Sequence, residues 1–144
     1  MRKNPQSGFT LVELMLVVII ISILVAMVVP RLMGRSDQAR EAAAKADIDA
    51  NLASALDMYE IDTGHYPKSD EGLQALSSKP TDPKVAARWK GPYVKKRPMD
   101  PWGNAYVYQY PGAHGDGYDL YSYGKDGSEG GGDDITSWDK DEPA

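Results

Sequence analysis

The sequence predicts an α+β fold: one long N-terminal helix, its first half transmembrane, packed through its second half on a small antiparallel β-sheet. Three observations predict it. The stretch from Phe9 to Val29 is apolar, broken only by Thr10, Glu13 and Ser22. The stretch from Ser36 to Ile61 is rich in helix formers and carries apolar residues at helical spacing. The stretches 105–110 and 118–123 are runs of β-forming and aromatic residues bounded by turn residues.

Residues 1–8 are short, polar and basic through Arg2 and Lys3. As a helix, the apolar run that follows is roughly 31 Å long at ~1.5 Å per residue, matching a hydrocarbon core of about 30 Å. Positive charge before the span and none inside it predicts a cytoplasmic N-terminus, with the rest of the chain in the periplasm of a bacterium with two membranes. The competing reading is an ordinary cleaved signal peptide. That needs a shorter apolar run and a small-residue cleavage site, whereas Met27-Val28-Val29-Pro30 follows here. Pro30 predicts a kink, because proline costs about 3 kcal/mol inside a helix.

Beyond the proline, Ile48, Leu52, Ala55, Leu56 and Tyr59 form the predicted core face. Glu41 and Lys45 stand four apart in the favourable order. Thr63-Gly64 ends the helix, with Gly64 as C-cap and Pro67 beyond. A short helix is expected from Asp70 to Leu76, capped by Ser69 or Asp70. Pro80, Pro83, Pro92, Pro98 and Pro101 exclude long regular elements before the first strand. The strands are expected at Ala105–Tyr110, Tyr118–Tyr123 and Ile135–Trp138. The glycine- and carboxylate-rich stretch from Gly124 to Asp134 predicts an irregular loop. Trp102 is expected to anchor its loop on the long helix, and Tyr106, Tyr108 and Tyr110 to share one strand face for packing or subunit contact rather than as a carbohydrate platform. His65 and His114 read as surface turn residues.

Composition removes whole classes of function. With 16 Lys+Arg against 21 Asp+Glu the net charge is −5, a poor footprint for nucleic acid. There is no cysteine, hence no disulfide, thiolate site or Cys nucleophile. Two histidines far apart exclude a multi-histidine zinc site. No P-loop and no G-x-S-x-G occurs.

The segment Gly8-Phe9-Thr10-Leu11-Val12-Glu13-Leu14 resembles the processing motif of type IV prepilin-like proteins. The resemblance implies cleavage after Gly8 by a prepilin peptidase, N-methylation of Phe9, and a role for Glu13 in assembly. A carboxylate in a membrane helix costs about 2.5–3.5 kcal/mol, so it calls for a partner such as a neighbour's terminal amine. Further segments are similar to the major pseudopilin family of the type II secretion system: Thr63-Gly64-His65-Tyr66-Pro67, Glu71-Gly72-Leu73, Gly91-Pro92-Tyr93-Val94, Asp100-Pro101-Trp102-Gly103-Asn104, Tyr118-Asp119-Leu120, Gly124-Lys125-Asp126-Gly127 and Asp134-Ile135-Thr136-Ser137-Trp138. They extend over nearly the whole chain.

That resemblance implies a leader at 1–8, a filament-core helix at 9–30 and a periplasmic domain at 31–144. It implies a non-enzymatic subunit held in the inner membrane, with its C-terminal domain in the periplasm. Its partners would be other copies of itself in a helical polymer, minor pseudopilins, the prepilin peptidase and the inner-membrane assembly platform, with energy from a cytoplasmic ATPase. It also implies a calcium ion in the C-terminal loop, held by the side chains of Asp126 and Asp134 and by backbone carbonyls around Tyr123 and Ser128. Asp133 is an alternative to Asp134, and Glu129 a further donor. Calcium takes roughly six to eight oxygens, and glycines let carbonyls turn inward. By composition alone the same loop reads as a solvated acidic turn. Two other functions compete: a type IV pilin or minor pilin in adhesion or DNA uptake, against which the missing cysteine pair counts, and a membrane-anchored periplasmic enzyme, which lacks a catalytic constellation.

Overall fold

A computed structural model describes residues 9–139 except Asp116; the side chains of 28–33 also lie outside the described residues, as does the predicted leader at 1–8. The chain divides into two compact units, Met1–Gln38 and Ala39–Ala144. Helix α1 is assigned from Leu11 to Ala46.

In the first unit α1 opens on a reciprocal cap. The Thr10 hydroxyl accepts from the Glu13 amide at 3.2 Å, and the Glu13 carboxylate accepts from the Thr10 amide at 3.5 Å. This satisfies two of the amides a helix start leaves unpaired. Every large apolar side chain from Phe9 to Met27 is at least 45% exposed. Among the described residues no helix is long and apolar enough to cross a membrane. The run predicted to do so continues past Met27 into residues whose side chains are not described.

In the second unit the end of α1 passes into a π-helical turn, Asp47–Leu52, and then α2, Ala53–Thr63. The helical pattern of the sequence predicts one uninterrupted α-helix here, and the structure differs. Ala44, Ile48 and Leu52 are all buried and recur every four residues, slower than the α-helical repeat, and the wider turn keeps them on one face. Asp47 is tied on both oxygens, to Asn51 Nδ2 at 2.7 Å and to the Tyr106 hydroxyl at 3.0 Å. Helix α2 ends at Gly64 with φ +92°, as the predicted C-cap requires.

Two short elements depart from expectation. The segment Gly72–Leu76 is a 3₁₀ turn rather than an α-helix, and Ser69 does not cap it. The Ser69 hydroxyl instead donates to the Tyr110 carbonyl and accepts the Tyr110 amide, at 2.9 and 2.8 Å. Helix α3, Pro83–Arg88, was not anticipated. Asp82 caps it by accepting from the Lys84 amide at 2.9 Å, and Pro83 occupies the first turn, where a missing N–H costs nothing. That Asp-Pro pair was the legible signal.

The sheet has three antiparallel strands in the order β1-β2-β3: Val107–Gln109, Asp119–Ser122 and Ile135–Thr136. Tyr108 stands opposite Leu120, and Ser122 opposite Ile135. Each strand is shorter than predicted, for local reasons. Ala105 bridges back to Met99, and Pro111 has no N–H to extend the ladder after Tyr110. Beyond β3, the Ser137 hydroxyl takes the place of a backbone carbonyl, accepting the Leu120 amide at 3.1 Å. The core lies between α2 and this sheet: Ile48, Leu52, Leu56, Tyr59, Leu76 and Leu120 are its buried centre. All five core positions expected on the helix are buried. Of the tyrosine stripe, Tyr106 is buried, Tyr108 packs on the core, and Tyr110 meets the Tyr66 ring edge at 5.6 Å. Trp89 packs against the core and donates its ring N–H to the Ala75 carbonyl at 2.9 Å. Trp102 is half-buried, and its ring N–H is enclosed without a partner.

His114 is more than a turn residue. Its ring stacks on Trp138 at 4.0 Å, and its Nδ1 lies 2.9 Å from the buried Asp119 carboxylate. Burial pushes the Asp119 carboxyl up, but hydrogen bonds from the Ala113 amide and from His114 outweigh it and hold the carboxyl below its ordinary 3.8. A depressed carboxyl stabilises the fold above its unfolded value, and that contribution disappears as pH falls through the folded one. The urea midpoint is therefore expected to drop below about pH 4, and Asp119→Asn to flatten that drop. An unchanged acid slope in the variant would remove Asp119 from the account.

Candidate filament-forming segment and C-terminal loop

The predicted functional residues fall into two places, one in each unit. At the first, Gly8 lies outside the described residues, and Phe9 is 80% exposed beside the start of α1. Glu13 is exposed and engaged in the cap with Thr10. Its carboxylate is thus held at the helix start, where the helix dipole favours negative charge. Around it, the surface from Leu11 to Met27 is apolar except at Ser22, whose hydroxyl donates to the Val18 carbonyl.

At the second place, β2 ends at Ser122 and β3 begins at Ile135, so the sheet fixes both ends of the loop between them. The carboxylates fold back on loop amides. Asp126 Oδ1 accepts from the Ser128 amide at 2.8 Å, Asp133 Oδ2 from the Asp126 amide at 3.0 Å, and Asp134 Oδ2 from the Gly130 amide at 2.8 Å. The other oxygen of Asp134 is buried and has no partner. At Gly131, φ is +86°, and a Cβ would sit 2.8 Å from Asp126 Oδ2 and 3.2 Å from Asp133 Oδ1. These two carboxylates therefore converge on bare backbone that only glycine can supply. At Gly124, φ is +68°, and a Cβ would run into the Asp133 carbonyl, so the two ends of the loop touch there.

The predicted set is thus partly assembled. Asp126 and Asp133 come together at Gly131, Asp134 turns to Gly130, and Ser128 is bound to Asp126 through its amide. Tyr123 opens the loop, its ring edge-on to Tyr121 at 5.6 Å. Among the described residues no three His, Asp or Glu side chains form a group able to hold a metal by themselves. Any cation here would draw on backbone oxygens as well. Sequence reasoning missed the buried pair at the loop's root, Asp100 and Ser122, which are 5% and 0% exposed.

Comparison with known proteins decides the family. The family model described as type II secretion system protein G matches residues 31–138, three quarters of the chain, and the prokaryotic N-terminal methylation motif matches residues 3–29. The chain belongs to the type II secretion system protein G family. Among its protein G relatives is the type II secretion system core protein G of Pseudomonas aeruginosa, 52% identical over 125 residues, covering 86% of this chain and 87% of that one. The core protein G of Escherichia coli K12 is 51% identical over 122 residues, covering 84% and 83%. The crystal structure of the major pseudopilin from the type 2 secretion system of enterohaemorrhagic Escherichia coli superposes with a TM-score of 0.64 at 39% identity, covering 74% of this chain and 89% of that one. The pilin-like α+β fold expected from sequence is the fold of this protein G member, and the methylation-motif match covers Phe9 and Glu13.

Proposed function

We propose that the chain is the major subunit of a periplasmic filament, the pseudopilus, which polymerises into an open helix and drives folded proteins outward through the outer membrane. One observation carries this: apart from Glu13 and Ser22, the helix from Leu11 to Met27 presents apolar side chains on all faces, and they are exposed throughout. Such a helix needs apolar surroundings on every side. Lipid of the inner membrane supplies them before assembly, and the same helices of neighbouring copies supply them after it. Transfer from lipid to protein gains little from the hydrophobic effect, so packing and an external motor give direction. A head-to-tail contact that does not close on itself produces a filament.

In this reading prepilin peptidase cuts after Gly8 and Phe9 is methylated. Glu13 then exchanges the Thr10 amide of its own cap for the terminal amine of a neighbour, which offsets the cost of an acid in apolar surroundings. The assembly platform and minor pseudopilins are the further partners. The role is structural rather than enzymatic.

The C-terminal loop fits calcium. Its donors are all oxygen, the buried Asp134 Oδ1 lacks a partner, and Asp126 and Asp133 converge at Gly131. Asp126, Asp133 and Asp134 with the carbonyls of Tyr123 and Ser128 would hold it. When bound, the ion supplies positive charge that offsets the repulsion of clustered carboxylates and fastens a loop that has no disulfide.

Deleting the chain in its host is expected to leave secreted proteins folded in the periplasm. Wild type restores export. Glu13→Ala is expected to be processed and retained in the membrane yet fail to restore it. Undiminished export without the chain would end this reading.

A further inference from the structure

At the root of the C-terminal loop the chain buries two polar side chains, one from the turn before β1 and one from the end of β2. Asp100 is 5% exposed and Ser122 is fully buried. Asp100 Oδ1 accepts the Trp102 and Asn104 amides at 3.0 and 2.8 Å, which locks the Asp100–Asn104 turn. Its other oxygen accepts from the Ser122 hydroxyl at 2.7 Å. That hydroxyl in turn accepts from the Gly124 amide at 3.1 Å. Every step of this chain is a buried or half-buried hydrogen bond, and its last member is the Gly124 amide, in the second residue of the loop.

A peptide unit is planar, and in its trans form the C=O of one residue points opposite to the N–H of the next. Holding the Gly124 amide therefore fixes the direction of the Tyr123 carbonyl. Gly124 has φ +68° and abuts the Asp133 carbonyl, so this peptide plane also sets where the far side of the loop lands. The turn touches the loop a second time: the Asn104 side-chain amide lies 3.4 Å from where a Cβ of Gly127 would sit. A buried carboxylate is costly unless its oxygens are engaged, and here they hold two turn amides and the Ser122 hydroxyl. Geometry is what the polar pair supplies.

We propose that Asp100 and Ser122 are positioning residues that pre-set the Tyr123 carbonyl as a cation ligand, so that the Asp100–Asn104 turn governs calcium affinity from outside the ligand set. This rests on the calcium reading given above. With the hydroxyl gone, the Gly124 amide loses its acceptor, the peptide plane is free to rotate, and one oxygen must be ordered at the moment of binding. That lowers affinity without removing any ligand.

The test is calcium titration calorimetry on the full chain in detergent micelles, at a temperature where circular dichroism shows each variant folded. Ser122→Ala and the nearly isosteric Ser122→Cys are both expected to weaken calcium binding about tenfold or more, as expected for a lost positioning contact. Ser122→Thr, which keeps the hydroxyl, is expected to bind as wild type does. A purely structural role lowers the melting midpoint in chelator but leaves the dissociation constant unchanged in all three, and that result would overturn the proposal while leaving the calcium reading intact. No calcium binding by wild type at millimolar concentration would instead overturn the calcium reading, and the proposal with it.

Discussion

Asp126→Ala is expected to erase the calcium-dependent part of the domain's thermal stability. Asp126 has one oxygen on the Ser128 amide and the other beside Gly131, where an Asp133 oxygen also lies, and its amide donates to Asp133, so it helps to join the two sides of the loop. A ligand present at a hundred times its dissociation constant stabilises the folded state by about 2.7 kcal/mol. For a domain of this size that is roughly 10 °C or more in the unfolding midpoint. Differential scanning calorimetry in calcium and in chelator should show this gap for wild type and none for the variant. In chelator alone the variant should melt close to wild type, or slightly above it, because one of the clustered negative charges is gone. A calcium-dependent gap of wild-type size in the variant would take Asp126 out of the site.

The second large effect is expected in the core. Leu56 is fully buried at the centre of α2, between Leu52 and Tyr59, whereas Ile61 on the same helix is 81% exposed. Leu56→Ala removes buried methyl groups and leaves a cavity, at a cost of about 2–5 kcal/mol. This is a large fraction of the roughly 5–15 kcal/mol by which small domains are stable. Ile61→Ala, on the exposed face, should change stability by less than about 0.5 kcal/mol. Chemical denaturation of the two variants side by side measures the contrast. Equal losses would mean that α2 presents a different face to the sheet.

Much of this architecture is legible because its signals are local. The spacing of Ile48, Leu52, Ala55, Leu56 and Tyr59 marks the core face, and all five are buried. Gly64 signals the helix end, and its positive φ follows from the need for a left-handed cap. The π-helical turn is harder to read, since apolar residues four apart also fit an α-helix, and the Tyr106 hydroxyl that meets Asp47 there comes from far along the chain. Ser69 shows the same limit. Its position invites a helix cap, yet its hydroxyl completes the end of a distant strand at Tyr110. Strand lengths were overestimated because propensity ignores such competitors: Met99 takes Ala105, and the Ser137 side chain takes the Leu120 amide.

The candidate functional residues divide along the same line. Gly8, Phe9 and Glu13 lie within one short segment, inside the stretch that matches the methylation motif, and such a local pattern is legible in sequence. The loop carboxylates are visible as composition, but their arrangement is not. That Asp133 rather than Asp134 faces Asp126 at Gly131 follows from the turn of five positive-φ glycines, Gly124, Gly127, Gly130, Gly131 and Gly132. The Asp100–Ser122 pair has no sequence signature, because its partners come together only when β2 lies beside the Asp100–Asn104 turn.

The central claim is that processed copies of this chain polymerise through α1. The most direct measurement is to cross-link cells that make wild type or Glu13→Ala, isolate the high-mass periplasmic assemblies, and identify the N-terminus of the chain within them. The account predicts filaments of wild-type chain beginning at Phe9, and none from the variant although it too is cleaved. Export proceeding normally while wild type is found only as single copies in the membrane would contradict it.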